Sequence, residues 1–279
     1  MLEIIIKQKL WLDSSSFEEY LLWLQPQWFD KYKLEKDFYL TIILHWIADN
    51  LPDLIFKWWT CLNKVHWWYY RLSEDLDFVV LTDGGDYVRE KLLKMYKKKI
   101  SEFMETLWCQ LQEWRTRFNS NIQGMYRFTY QSLIDTSTQE IKIDIHLQKN
   151  LMIKTQKLPI KHIFTDTITG DSIFEVKHIH CMHLDEAMAE KVRAGLTRQD
   201  PAIRDFFDVW HAKNQWYDFH KIKDFIYKKV KEAGNIYTLE ANYANLKRQI
   251  DMDLAPVLGN DIWDFDFDQI YIFILSFKK

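Results

Sequence analysis

Two aspartates, Asp75 and Asp77 in the run Ser73-Glu74-Asp75-Leu76-Asp77-Phe78, are the residues of this sequence best placed to do chemistry. They open a short apolar stretch, Asp75 to Leu81, that reads as a β-strand ended by the turn Asp83-Gly84-Gly85. Residues two apart on a strand project from one face, and two carboxylates on one face repel unless a cation or a proton intervenes. Magnesium takes hard oxygen ligands and binds through a few carboxylates together with substrate phosphates. A third acid, Asp144, lies in Glu140 to Leu147, where Ile143 and Ile145 take one face and Lys142, Asp144 and His146 the other. If that strand neighbours the first, three carboxylates converge, an arrangement suited to two-metal phosphoryl transfer. A strand–turn–helix unit precedes the pair, and the outward amides of a helix N-terminus make such turns natural phosphate cradles.

The elements that must position these acids follow from the patterning. Residues 17–24 read as a short helix, Asp37 to Asn50 as an amphipathic helix stopped by Asn50 and Pro52, Asp53 to Lys57 as a buried strand, and Thr60 to Val65 as a helix. Apolar residues recur near the helical period from Leu92 to Leu111, which predicts one long helix from Asp86 to about Phe118. Met125 to Leu133 and Glu140 to Leu147 alternate as strands do, with 135–138 as the turn. After about residue 178 the period is helical again, over Leu184 to Arg198, Pro201 to Lys213, Asp218 to Glu232 and Leu239 to Asp251. The fold class is therefore α+β: a mixed sheet with flanking helices over residues 1–165, then a mainly helical domain over 166–279, with the boundary inside 155–182.

Composition bounds the functional classes. The chain of 279 residues is 48% hydrophobic and 28% charged, a globular composition long enough for one large domain or two modest ones. No apolar run reaches membrane-spanning length, and the start lacks a secretory h-region, so a cytoplasmic protein without a membrane partner is expected. Three cysteines, Cys61, Cys109 and Cys181, do not make a disulfide framework. A net charge of -3 excludes a globally basic nucleic-acid binder. Arg89, Lys91, Lys94 and Lys97 to Lys99 form one basic run, which reads either as a solvated helix face or as an acceptor groove. The chain carries 13 tryptophans against 7 glycines, and fewer glycines means fewer sites for tight backbone turns.

The stretch Phe56 to Phe78, FKWWTCLNKVHWWYYRLSEDLDF, resembles the AbiEii/AbiGii family of nucleotidyltransferase toxins. LEKDFYLTIIL resembles the family's leading helix, EIKIDIHL the strand of the third acid, and AEKVRAGLTR and IRDFFDVWHA its two later motifs, in the right order over residues 34–215. The resemblance implies a nucleotidyltransferase-type mixed sheet and a reaction that moves a nucleotide from a nucleoside triphosphate to an acceptor, the 3′ end of a transfer RNA. It implies that Asp75, Asp77 and Asp144 bind Mg2+ or Mn2+, and that Lys57, Thr60 and Lys64 flank or contact the phosphates. Lys191 would activate the attacking group or hold a phosphate, supported by Arg193, and Asp205 and Asp208 would serve nucleotide binding. It also implies a cognate antitoxin as partner. Set beside this, Asp205 could pair structurally with Arg198 or Arg204, and Asp208 could be a buried helix acid.

The sequence departs from the family where Trp58 and Trp59 stand in place of two loop glycines. Glycine permits positive φ and a close phosphate approach, whereas each indole brings about 150–250 Å² of surface. Three explanations stand: replaced glycines, a divergent member that stacks a base on tryptophan, or a loop that no longer binds nucleotide. The enzymatic reading therefore stands beside a nucleotidyltransferase-fold binding protein with impaired catalysis, and beside a transferase that modifies a protein partner. Two further segments carry weaker signals. His178, His180, Cys181 and His183 are zinc-ligand types with no spacing that fixes a tetrahedron. Residues 261–268 alternate acids with aromatics, either as a partner-binding edge or as aromatics packed on the helical half.

Overall fold

The structure is a computed structural model that describes residues 17–24, 29–258 and 264–279. The opening segment and residues 261–263 of the acidic–aromatic tail lie outside the described residues. Two compact units are present, Met1–Leu151 with Thr155–Cys181 and Met152–Lys154 with Met182–Lys279.

The first unit is built on a mixed sheet, as the α+β pattern predicts. Its helices are α1 (Phe17–Leu24), α2 (Lys31–Asn50), α3 (Trp58–Cys61) and α4 (Asp86–Glu105). Its strands are β1 (Ile55–Lys57), β2 (Asp75–Leu81), β3 (Gln110–Leu111), β4 (Arg117–Asn119), β5 (Gln123–Gln131), β6 (Thr138–Gln148), β7 (Gln156–Pro159) and β8 (His178–Cys181). The sheet order is β3-β5-β6-β2-β1-β8-β7, with β4 paired to β5. Strand β2 runs parallel to β6 and antiparallel to β1, so its flanking strands present matched rows of side chains. One row, Phe56–Phe78–Ile145, faces the core. The next, Lys57–Asp77–Asp144–Met125, lies on the opposite face because strand side chains alternate.

Helix α2 begins at Lys31, six residues before the sequence pattern places it. Asp30 caps it, accepting from the Tyr32 and Lys33 amides at 3.1 Å each. It is buried on nearly all sides, through Leu34, Phe38 and Ile42 and also Tyr39, Ile43 and Leu44, so it is a central helix rather than a surface one.

Helix α4 stops at Glu105, not near Phe118. The Cys109 amide donates to the Met104 carbonyl and the Trp108 amide to the Glu105 carbonyl, both at 3.0 Å, with Trp108 at φ +57. That pair of bonds is a Schellman close, and it turns the chain into β3 although Leu107 and Leu111 continue the helical spacing. Along α4 the basic run is laced with acids: Lys94 pairs with Glu90, Lys97 with Glu113 and Lys98 with Glu102.

The second unit is helical: α5 (Leu184–Thr197), α6 (Ile203–Asn214), α7 (Lys223–Glu232), α8 (Tyr243–Gln249) and α9 (Phe267–Leu275). Leu196, Ile203, Phe206, Ile226 and Ile270 are fully buried in it. Phe265 and Phe267 pack on α6 against Phe207, Trp210 and Phe206, with ring centroids 5.4 to 5.8 Å apart, so the described part of the tail packs its aromatics inward. Among the described residues no helix is long and apolar enough to cross a membrane.

Candidate active site

The parallel pairing of β2 and β6 sets Asp77 directly opposite Asp144 and Asp75 opposite Lys142. Three carboxylates therefore share one face, as the alternation predicts for adjacent strands. Asp77 is buried, and Asp75 and Asp144 are partly so. One oxygen of Asp75, Oδ1, is buried without a hydrogen-bond partner, with the Lys142 ammonium 3.6 Å away. A buried acceptor without a donor costs about 1–3 kcal/mol, and a hard divalent cation satisfies it. The acids supply the hard oxygens such an ion takes, although among the described residues the ligand atoms of the three do not close to within 4.8 Å of one another.

Arg127 on β5 was not singled out by the sequence. Its guanidinium donates to Asp144 Oδ1 at 2.6 Å. Burial pushes the Asp144 carboxyl above the usual carboxylate range; the Arg127 hydrogen bond and charge oppose this, while the Asp75 charge adds to it. The alternation of β5 was visible in the sequence, but the register that aims Arg127 at Asp144 was not.

Lys57 ends β1 as the register partner of Asp77 and is buried. Its ammonium lies 3.9 Å from the centroid of the Trp58 ring. Trp58 itself has φ +61, in the left-handed region that glycine tolerates and a bulky side chain does not. Its indole also reaches the His146 ring at 5.3 Å. Lys57 and His146 stand on the strands either side of β2, so the indole lies across the face of β2 that bears Asp77. Trp59 packs elsewhere, with the Arg71 guanidinium 5.6 Å from its ring.

Thr60 is buried, its hydroxyl 2.6 Å from Ser73 Oγ and donating to the Asp75 carbonyl. It ties α3 to the first residue of β2. Lys64 sits in a π-turn, Leu62–His66, where the sequence pattern continues an ordinary helix. It is fully buried and donates to Asp37, Thr41 and Tyr69 at 2.8 to 2.9 Å. Burial pulls its pKa down and the Asp37 charge opposes this. Lys64 thus stands in the core network of α2 rather than with the three acids.

The remaining predicted residues form a cluster of their own in the second unit. Lys191 on α5 is buried between Asp205 and Asp208 of α6, at 2.8 and 2.9 Å. Arg198 reaches the other Asp205 oxygen at 3.2 Å, the structural pairing that the sequence raised. Arg193 is half-buried, and burial lowers its pKa.

A family model described as the nucleotidyl transferase AbiEii toxin of a type IV toxin–antitoxin system matches residues 46–271. Among solved structures, JHP933 from Helicobacter pylori is similar at 16% identity over 90% of this chain and 91% of that one, with a TM-score of 0.50. A second H. pylori structure, assigned only provisionally as a nucleotidyltransferase, is 16% identical over 89% and 94%, with a TM-score of 0.49. A comparison with curated proteins finds no match.

Proposed function

The chain belongs to the AbiEii family of nucleotidyl transferase toxins, and from that premise we propose that it moves a nucleotide from a nucleoside triphosphate to the 3′ end of a transfer RNA, with Asp75, Asp77 and Asp144 as the metal-binding set. The observation that carries this is the Asp77–Asp144 register across β2 and β6, with the orphaned Oδ1 of Asp75 beside it. Magnesium or manganese bound there would neutralise charge on the reacting phosphate and on the leaving pyrophosphate. Lys57 adds positive charge on the same face, where the triphosphate would lie. Thr60 keeps the loop and the first acid in fixed relation through the Asp75 carbonyl. The family motif assigns Lys191 to the acceptor or a phosphate with Arg193 in support, and Asp205 and Asp208 hold its ammonium. A cognate antitoxin is the expected protein partner.

One observation favours a second reading. The Trp58 indole covers part of the acid-bearing face, and a chain blocked there would bind its partners without transferring nucleotide. Incubation with magnesium, each labelled nucleoside triphosphate and total transfer RNA separates the two. Label in the RNA band supports the transferase. No label until Trp58 and Trp59 are returned to glycine supports the blocked protein. Label in neither chain sinks the transfer-RNA acceptor.

A further inference from the structure

Cys61, His66 and Cys181 come together from three elements: the end of α3, the end of the π-turn and the end of β8. Their ligand atoms all lie within 4.8 Å of one another. The π-turn closes with the Trp67 amide donating to the Leu62 carbonyl at 2.8 Å. Its wider winding brings His66 back over Cys61, five residues earlier, where an α-helix would set them on different faces. Cys181 is delivered by the parallel pairing of Phe56 with Cys181, in the register row that faces away from Asp77. Both cysteines are buried, while His66 is half-buried and gives an ion a route in.

Two sulfurs and an imidazole are the soft and borderline ligands that select zinc over magnesium. We propose that Cys61, His66 and Cys181 bind one zinc ion, with solvent as the fourth ligand. The ion ties α3, and with it Thr60, to β8. The site is separate from the carboxylates and does not depend on their role.

The test is cobalt(II) titration of the reduced, metal-stripped full chain with excess magnesium present. One equivalent should give tetrahedral visible bands with a thiolate charge-transfer band, and zinc should displace it. Cys61→Ser and Cys181→Ser should each weaken zinc binding by at least about 100-fold, more than losing an outer-shell partner costs, while Asp77→Asn should leave the spectrum intact. The unmutated chain decides the matter even if the cysteine variants misfold. Absence of the charge-transfer band overturns the proposal, as does its loss in Asp77→Asn. A Cys61–Cys181 disulfide that takes up no metal after reduction overturns it too, in favour of a redox pair.

Tryptophan, independently, takes a backbone conformation in this chain that its own side chain opposes. Trp58, Trp108 and Trp216 have φ of 61, 57 and 59. Trp108 and Trp216 each hold the left-handed position of a Schellman close, since the Tyr217 and Trp216 amides repeat at 3.0 Å, to the Ala212 and Lys213 carbonyls, the bonding seen after α4. Gly234, at φ 84, fills the same position after α7. Trp216 is 94% exposed and Trp108 61%, so the indoles have little packing to offset the strain. We infer that the functional form of this protein carries glycine at 58, 108 and 216, as when one codon is read as tryptophan in one genetic code and as glycine in another. Peptide mass spectrometry of the protein from its own cells tests this directly. Glycine masses at the three positions are expected, and tryptophan at all three overturns the inference. In the tryptophan-bearing chain, Trp108→Gly and Trp216→Gly should raise the melting temperature, whereas Trp46→Gly, which removes a ring stacked 4.3 Å from Phe103, should lower it. A lower melting temperature for Trp216→Gly also counts against it.

Discussion

Replacing Trp58 with glycine separates backbone strain from function at one position. Three terms set its effect on stability. The left-handed backbone at φ +61 is relieved, a gain of about 1–2 kcal/mol for a side chain with a Cβ. Glycine's greater freedom in the unfolded chain takes back about 0.5–1 kcal/mol. The ammonium of Lys57 loses the ring 3.9 Å away, a loss of about 0.5–1 kcal/mol. The terms nearly cancel, so the melting temperature should move little. Nucleotide binding should not behave so, because the indole that spans from Lys57 to His146 no longer covers the Asp77 face. An affinity gain of at least about tenfold, or about 1.4 kcal/mol, is expected by calorimetry with a non-hydrolysable nucleoside triphosphate and magnesium. Trp59→Gly, whose ring packs by Arg71, should gain much less. Equal affinity in Trp58→Gly and the parent would refute the reasoning. Weaker binding in the glycine variant would show instead that the indole is a platform for the base.

Asp77→Asn should abolish transfer and the magnesium dependence of thermal stability while the fold persists, read by labelled transfer and by circular dichroism; residual full activity removes Asp77 from the mechanism. Arg127→Met should shift the acid limb of the pH–rate profile upward. Burial already raises the Asp144 pKa and Arg127 opposes it, so without Arg127 the carboxylate that binds metal is lost at higher pH as pH falls; an unmoved limb would count against Asp144 as the titrating group. Lys64→Met should destabilise the protein by about 3–5 kcal/mol in denaturant melts because it strands a buried Asp37, and Asp37→Leu added to it should restore most of that loss. Lys191→Met should do similar damage beside Asp205 and Asp208, with activity lost beyond what the melts explain if its ammonium also serves catalysis.

The strand that carries the acids was legible because its boundaries are marked by chemistry: polar Ser73 and Glu74 before it, Asp83-Gly84-Gly85 after it, and β-branched apolar residues between. The opposite faces of Ile143 and Asp144 were legible for the same reason, since alternation is a local property. The Asp77–Asp144 register could be stated only conditionally, because pairing between strands far apart in sequence is set by the whole core. Arg127 was hidden for that reason. The early end of α4 was hidden for another. A helix stop is usually announced by glycine at the left-handed position, and here that position holds Trp108. The apolar period ran on through Leu107 and Leu111, so the sequence carried both a false continuation and a masked stop.

The two loop lysines that the family resemblance sets beside the phosphates, Lys57 and Lys64, show how burial changes what such a residue can do. An ammonium has three donors. For Lys64 those three are met by Asp37, Thr41 and Tyr69, all in a solvent-free setting. Turning it toward a phosphate would leave the Asp37 carboxylate buried without its cation, at a cost of about 3–5 kcal/mol. A single phosphate contact offsets only about 1.5–3 kcal/mol of that. Lys64 is therefore better understood as the residue that fixes the π-turn, and hence the loop's return to β2, against α2. Lys57 is in a different position. Its neighbour is the face of an indole, a weaker hold than a buried carboxylate, and an anionic phosphate competes with it far more readily. Of the loop's basic residues, Lys57 is the one whose present contact a triphosphate can replace.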